Sequence, residues 1–187
     1  MTASLDAGLA FLPAPRQVSP LRRPYAPGMA TVKQYGAWLA AFRILIGATW
    51  LIHGYGKLTD AQWALPNGDC YQFLTGMTAH TEGFYHDFIA NTVLPHVTVF
   101  ATMVEWGETL TGASLVLGLF SRIGGLVGLL LALQYWAAKN AFAHLDGYAG
   151  LDIITAIASA LNLVLPTGAV FGLDALFGRR KGGRTPG

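Results

Sequence analysis

The chain has 187 residues, of which 53% are hydrophobic and only 12% charged, against about a quarter charged in an ordinary soluble domain. Its mean hydropathy is +0.44, so most of its surface is expected to meet something other than water. A net charge of +2, with no basic groove interleaved with aromatics, excludes a nucleic-acid-binding protein.

In chain order, a Pro-rich segment comes first. It has Asp6 in its weakly apolar part and Pro13 and Pro15 beyond, and lacks the basic start of a signal peptide. Residues 1–34 are expected to form a cytoplasmic tail, either disordered or ordered against a partner protein. Four apolar stretches then approach the length needed to cross a hydrocarbon core of about 30 Å. They run from Tyr35 to Tyr55, Val97 to Phe120, Ile123 to Phe142 and Leu151 to Leu165, the last continuing past Pro166 towards Phe171. The fold class expected is all-α: an integral membrane four-helix bundle over residues 35–171.

The connection Leu58–His96 is too long for a turn and too aromatic for a linker, with Trp63, Tyr71, Phe73, Phe84, Tyr85 and Phe88. Phe84, Phe88 and Ile89 fall at helical spacing, which predicts a short interfacial helix before Pro95 opens the second span. Small-residue pairs Gly36/Ala40, Gly124/Gly128 and Ala156/Ala160 suit close packing of helices. Residues 172–187 carry Arg179, Arg180, Lys181 and Arg184 and form a basic cytoplasmic end.

Basic residues cluster before the first span, at Arg122 between the second and third, and after the fourth, while the other connections are mostly acidic. The positive-inside rule then puts both termini in the cytoplasm, in a multi-pass protein of a bacterial-type inner membrane. An even number of spans agrees.

Two carboxylates interrupt the second span. Each costs roughly 2.5–3.5 kcal/mol at a membrane-helix centre. Glu105, Glu108 and Gly112 share one helix face. Arg43 lies roughly 12 Å in from Tyr35 and Glu108 roughly 18 Å in from Phe120, which predicts an Arg43–Glu108 ion pair. The pair reads equally as a clasp between helices and as part of a redox or proton site. Glu105 has no evident counter-ion; desolvation and a like-charged neighbour favour its protonated form, so it is a candidate proton acceptor.

A second polar group gathers at the outer side: His53 and Lys57, then Tyr135, Trp136 and Lys139 with Gln134, and His144 with Asp152. His53, Tyr135 and Lys139 can donate hydrogen bonds and Trp136 can supply a flat wall, the requirements of a quinone headgroup. The same residue types also make up an ordinary interfacial belt. The single cysteine, Cys70, excludes an internal disulfide and an iron–sulfur cluster held by this chain alone. The five histidines match no haem or compact metal spacing.

The stretch RILIGATWLIHGYGKL, Arg43–Leu58, has an arginine, a glycine four residues on and a later G-x-x-K-L. The stretch ETLTGASLVLGLFSR, Glu108–Arg122, has a glutamate before glycine-punctuated leucines and a closing basic residue. Together they resemble the DoxX/DoxD-like membrane family, with Arg43, Gly47, Gly54, Lys57, Glu108, Gly112, Gly118 and Arg122 at the matching positions. The preceding V-L-P-H and W-G-E resemble its DoxD branch. Glu105 lies outside the matched pattern. The resemblance implies a membrane subunit of a quinone-linked oxidoreductase, of the thiosulfate:quinone type, with Glu108 and Arg43 as proton-handling or organising residues; Glu105 joins them as a candidate on its expected burial alone. His53, Tyr135, Trp136 and Lys139 would bind the quinone. It equally accommodates a non-catalytic accessory subunit packed into a larger membrane complex.

Overall fold

The computed structural model describes the backbone of residues 29–139 and 148–175, and the side chains of residues 35–139 and 150–175. The Pro-rich segment before residue 29, His144 and the basic cluster at residues 179–184 lie outside the described residues. The described chain is all-helical: α1 (Met29–Thr59), α2 (Asp69–Thr78), α3 (Gly83–Phe88), α4 (Val97–Leu117), α5 (Ser121–Ala138) and α6 (Tyr148–Val164). Two helical segments, Tyr35–Thr59 and Gly83–Leu117, are long and apolar enough to cross a membrane, and Gly150–Val164 is apolar but shorter.

Two features of the connection before α4 differ from the sequence expectation. Asp69–Thr78 forms a helix that periodicity did not single out. The segment from Gly83 passes through a π turn (Ile89–Val93) and a 3-10 turn (Leu94–His96) directly into α4. Pro95 therefore sits inside a continuous helical path. The 3-10 turn accommodates it near its start, where a missing N–H is cheapest.

Glycines set how closely α1 meets α4. A Cβ on Gly47 would strike Leu115 and Val116, one on Gly54 would strike Thr109, and one on Gly112 would lie 2.3 Å from the Leu51 backbone nitrogen. These contacts fix an antiparallel register in which Gly54 lies opposite Glu108 and Thr109. Contacts of Gly124 with Ser114, and of Gly125 with Asn162 and Leu163, lock α5 to α4 and to α6 in the same way.

The distribution of polarity is inverted relative to a water-soluble domain. Arg43, Glu108, Ser159, Asn162 and Thr167 are among the largest side chains that are fully buried. Trp38, Leu45, Ile52, Met103, Leu110, Leu130, Ile154 and Val164 face outwards. A lipid environment satisfies such a surface, because helices apolar on their outer faces gain nothing from water.

The end of α4 shows how the chain turns back. Gly118 adopts φ 63°, and the bonds Gly118 N–H to Leu115 O and Leu119 N–H to Ser114 O terminate the helix. Phe120 follows at φ 52°, a left-handed conformation unusual for a bulky residue. Asp174 compensates, accepting from the Phe120 N–H (2.8 Å), the Ser121 N–H (3.0 Å) and the Ser121 hydroxyl (2.7 Å). The C-terminal segment thus caps α5 from a distance.

Candidate functional site

Glu108 is 1% exposed, and its two carboxylate oxygens have different donors. Lys57 at the end of α1 donates to Oε2 at 2.5 Å, and the Tyr135 hydroxyl on α5 donates to Oε1 at 2.6 Å. Lys57 also sits 5.1 Å from the Trp63 ring centre and 5.6 Å from that of Tyr135, so two aromatic faces and a carboxylate surround the ammonium. Trp63 is itself fixed by donating to the Ala101 carbonyl at 3.2 Å. Three helices and the turn after α1 therefore converge on one charge pair.

The predicted Arg43–Glu108 pair does not form. The α1–α4 register places Glu108 opposite Gly54, eleven residues from Arg43 and about 16 Å away along the helix, beyond the reach of an arginine side chain. Arg43 instead lies level with the end of α4. It is fully buried and donates to the carbonyl oxygens of Thr167 (3.0 Å) and Phe171 (3.2 Å). Gly118 and Gly172 leave the room that its guanidinium occupies.

A cavity of about 510 Å³ opens beside Glu108, within the range of small-molecule sites. Trp50, Trp63, Phe73, Ala132 and Leu151 form its apolar walls, while Lys57, Glu108, Tyr135, Lys139, Asp152 and His53 supply polar groups. On the far wall Lys139 donates to Asp152 at 2.7 Å. Trp50 donates to the Ser159 hydroxyl at 3.3 Å, joining α1 to α6 at the inner end of the cavity.

Of the residues picked from the sequence, Glu108, His53, Tyr135 and Lys139 line this one cavity. Trp136 is partly buried next to Tyr135 and is not among the lining residues; Arg43 belongs to the other end of the molecule. Glu105 is partly buried outside the cavity, and its carboxylate makes no hydrogen bond or ion pair among the described residues. Its backbone carbonyl accepts from Thr109 at 2.7 Å. Its charge is felt at Cys70, whose thiol is pushed up to about 11, chiefly by burial, with Lys57 opposing and Glu105 adding to the rise. A thiol so raised is mostly un-ionised at neutral pH and is not an activated nucleophile.

Sequence reasoning missed Trp63 and Phe73 as walls and Lys57 as the partner of Glu108. The signal for Lys57 was present, since it and Glu108 both belong to the matched pattern.

A family model described as TQO small subunit DoxD matches residues 38–184. The chain belongs to the DoxD family. Among curated proteins and among solved structures, no significant match is found. DoxD proteins are membrane proteins, and the family's name refers to the small membrane subunit of thiosulfate:quinone oxidoreductase. Seven of the eight matched positions fall into three groups, and Arg122 is exposed at the start of α5. Gly47, Gly54 and Gly112 set the α1–α4 spacing, Arg43 and Gly118 organise the turn after α4, and Lys57 with Glu108 forms the charged edge of the cavity.

Proposed function

We propose that this DoxD chain is the quinone-binding membrane subunit of an oxidoreductase, with the Glu108 cavity as the headgroup site. The observation that supports this most is the coincidence, in one 510 Å³ space, of aromatic walls and two lysine–carboxylate pairs. A quinone headgroup fits that donor set. Lys57 and Lys139 each donate one hydrogen bond to a carboxylate and carry further N–H groups for a carbonyl oxygen. Trp50, Trp63 and Phe73 provide flat surface on which a ring can lie.

A bound quinone would supply the two-electron chemistry, for which no side chain of this chain is suited. The protein would position the ring, exclude water and manage protons. Tyr135, Glu108 and Lys57 form a continuous hydrogen-bonded row, so a proton that Lys57 gives to a quinone oxygen would be restored through the Glu108 carboxylate by one taken up from water at the outer face. Both lysine–carboxylate pairs are formally neutral, which suits an uncharged headgroup better than a free oxyanion. Electrons would then reach the site from an outer-side donor or partner subunit, of which thiosulfate oxidation is the family's named example.

In the membrane, α1, α4, α5 and α6 would form the four spans, with both termini cytoplasmic and the cavity towards the outer face. The placement of basic residues along the sequence supports that orientation: Arg22, Arg23, Lys33, Arg122, Arg179, Arg180, Lys181 and Arg184 flank the inner ends of the spans, against Lys57 and Lys139 at the outer ends.

Tyr135→Phe tests the site with little disturbance of packing. Protein in nanodiscs should keep its bound quinone, while quinone reduction by thiosulfate in the assembled complex falls about 10²-fold, the usual cost of removing a proton-transfer group. Unchanged turnover would remove Tyr135 from the reaction. Wild-type protein that binds no quinone, while co-purifying at fixed stoichiometry with a larger complex, would favour an accessory subunit instead.

A further inference from the structure

The described residues do not close the cavity on all sides. Helix α1 packs along α4, and α5 along α6, but α1 and α6 barely meet. Among the described residues, the side-chain hydrogen bond that joins them is Trp50 to Ser159. Thr49, level with that bond, and His53, outward from it, line the cavity from α1, and Leu151 and Thr155 line it from α6. Thr49, His53 and Leu151 are exposed, Leu151 to the extent of 57%. The seam is therefore a lateral opening in the wall that a bilayer would cover.

Its chemistry changes with depth. The charged groups, Lys57, Glu108, Lys139 and Asp152, lie at the outer end. Thr49 is eight residues before Lys57, about 12 Å deeper towards the membrane centre. Both threonine hydroxyls are spent on their own helices, Thr49 to Leu45 O at 3.0 Å and Thr155 to Leu151 O at 2.8 Å. Neither has a donor left for a ligand, so with Leu151 the deeper part of the seam presents no hydrogen-bond donor to a quinone.

From this geometry we infer that the α1–α6 seam is a lateral portal holding the proximal isoprenoid tail of a lipid-borne quinone, whose headgroup enters directly from the bilayer. This inference rests on the quinone reading above and adds to it: the substrate is long-tailed and membrane-dissolved, and the seam discriminates by tail. A headgroup at the charged end, with a tail leaving towards the bilayer centre, matches the polarity gradient along the opening. Burying a methylene of the tail against Thr49, Thr155 and Leu151 adds affinity that a bare headgroup lacks.

The experiment compares binding of a short-chain and a long-chain quinone of the same headgroup to protein in nanodiscs, read by quenching of Trp50 and Trp63 fluorescence. Wild type should prefer the long-chain form. Thr155→Phe should fill the seam and weaken long-chain binding about tenfold, leaving short-chain binding nearly unchanged. Leu151→Phe, at an exposed position, repeats the block should Thr155→Phe fail to fold, and Thr155→Val should behave as wild type because the hydroxyl is used internally. Equal loss of both quinones, or no effect of either phenylalanine, would overturn the portal while leaving the headgroup site standing. Wild-type protein that binds neither quinone would overturn the headgroup site and the portal with it.

Discussion

Glu108 and Arg43 are both fully buried ions, yet they have opposite local solutions. Glu108 has a cation and a phenol on its two oxygens; Arg43 uses backbone carbonyls and the nearby charge of Asp174. Removing one member of a buried pair strands the other. Glu108→Gln should therefore lower stability by about 3 kcal/mol, and Lys57→Met in the same chain should recover much of it. Thermal unfolding of the single and double variants measures that coupling; additive losses would show that the pair contributes no mutual stabilisation. The residue types of this site were legible in the sequence, because ionisable groups inside an apolar run are costly enough to require a purpose. Their pairing was not. Depths counted from the ends of apolar stretches put Glu108 within reach of a long Arg43 side chain, whereas the close approach of Gly47, Gly54 and Gly112 sets α1 along α4 so that Lys57 meets Glu108 instead.

At the scale of elements, the turn between α4 and α5 depends on residues far along the chain. Asp174 replaces a local cap, and the backbone N–H groups of Leu173 and Asp174 bond to Leu117 O and Gly118 O. Burial by itself raises the Asp174 pKa, but the hydrogen bonds from Ser121 and Phe120 and the Arg43 charge outweigh it and hold the carboxyl below its ordinary value. A lowered pKa means that the folded state favours the ionised form. The stabilisation is thus complete above the ordinary aspartate pKa of about 3.9 and is lost as pH falls through the lower folded value. Asp174→Ala should cost about 1–2 kcal/mol near neutrality, with the difference from wild type shrinking below about pH 4. A difference independent of pH would mean that the side chain acts through packing alone. This cap left no sequence signal, since an aspartate 53 residues beyond Ser121 carries no local pattern. Helices α4, α5 and α6 were visible because long apolar runs report on burial or lipid. Helix α2 went unread although Cys70, Phe73, Leu74 and Met77 stand at helical spacing in it, because ten residues give that pattern barely two repeats inside a connection rich in turn residues.

Across the whole molecule, charges inside and apolar side chains outside describe a protein built for a bilayer. The proposed topology puts residues 60–68 on the outer side and the turn at residues 118–122 in the cytoplasm. A membrane-impermeant thiol reagent should then label a cysteine introduced at exposed Asn67 in intact cells, and one introduced at Phe120 only after the membrane is opened. The reverse pattern would invert the orientation and place the cavity at the cytoplasmic face. Distant parts of the chain meet at both ends of the long helices: Arg43 with residues 167–174 at one, Lys57 with Glu108 and Tyr135 at the other. The first holds the helices in register and the second shapes the cavity.

The most direct measurement is photolabelling of the purified protein in nanodiscs with an azido-quinone, followed by mapping of the modified peptides. The headgroup site predicts label on residues 49–63, 132–139 and 151–155, suppressed by unlabelled quinone and weakened by Glu108→Gln. Label confined to the apolar groove between α4 and α5, around Leu110, Leu117 and Ile123, with no competition at the Glu108 cavity, would contradict it.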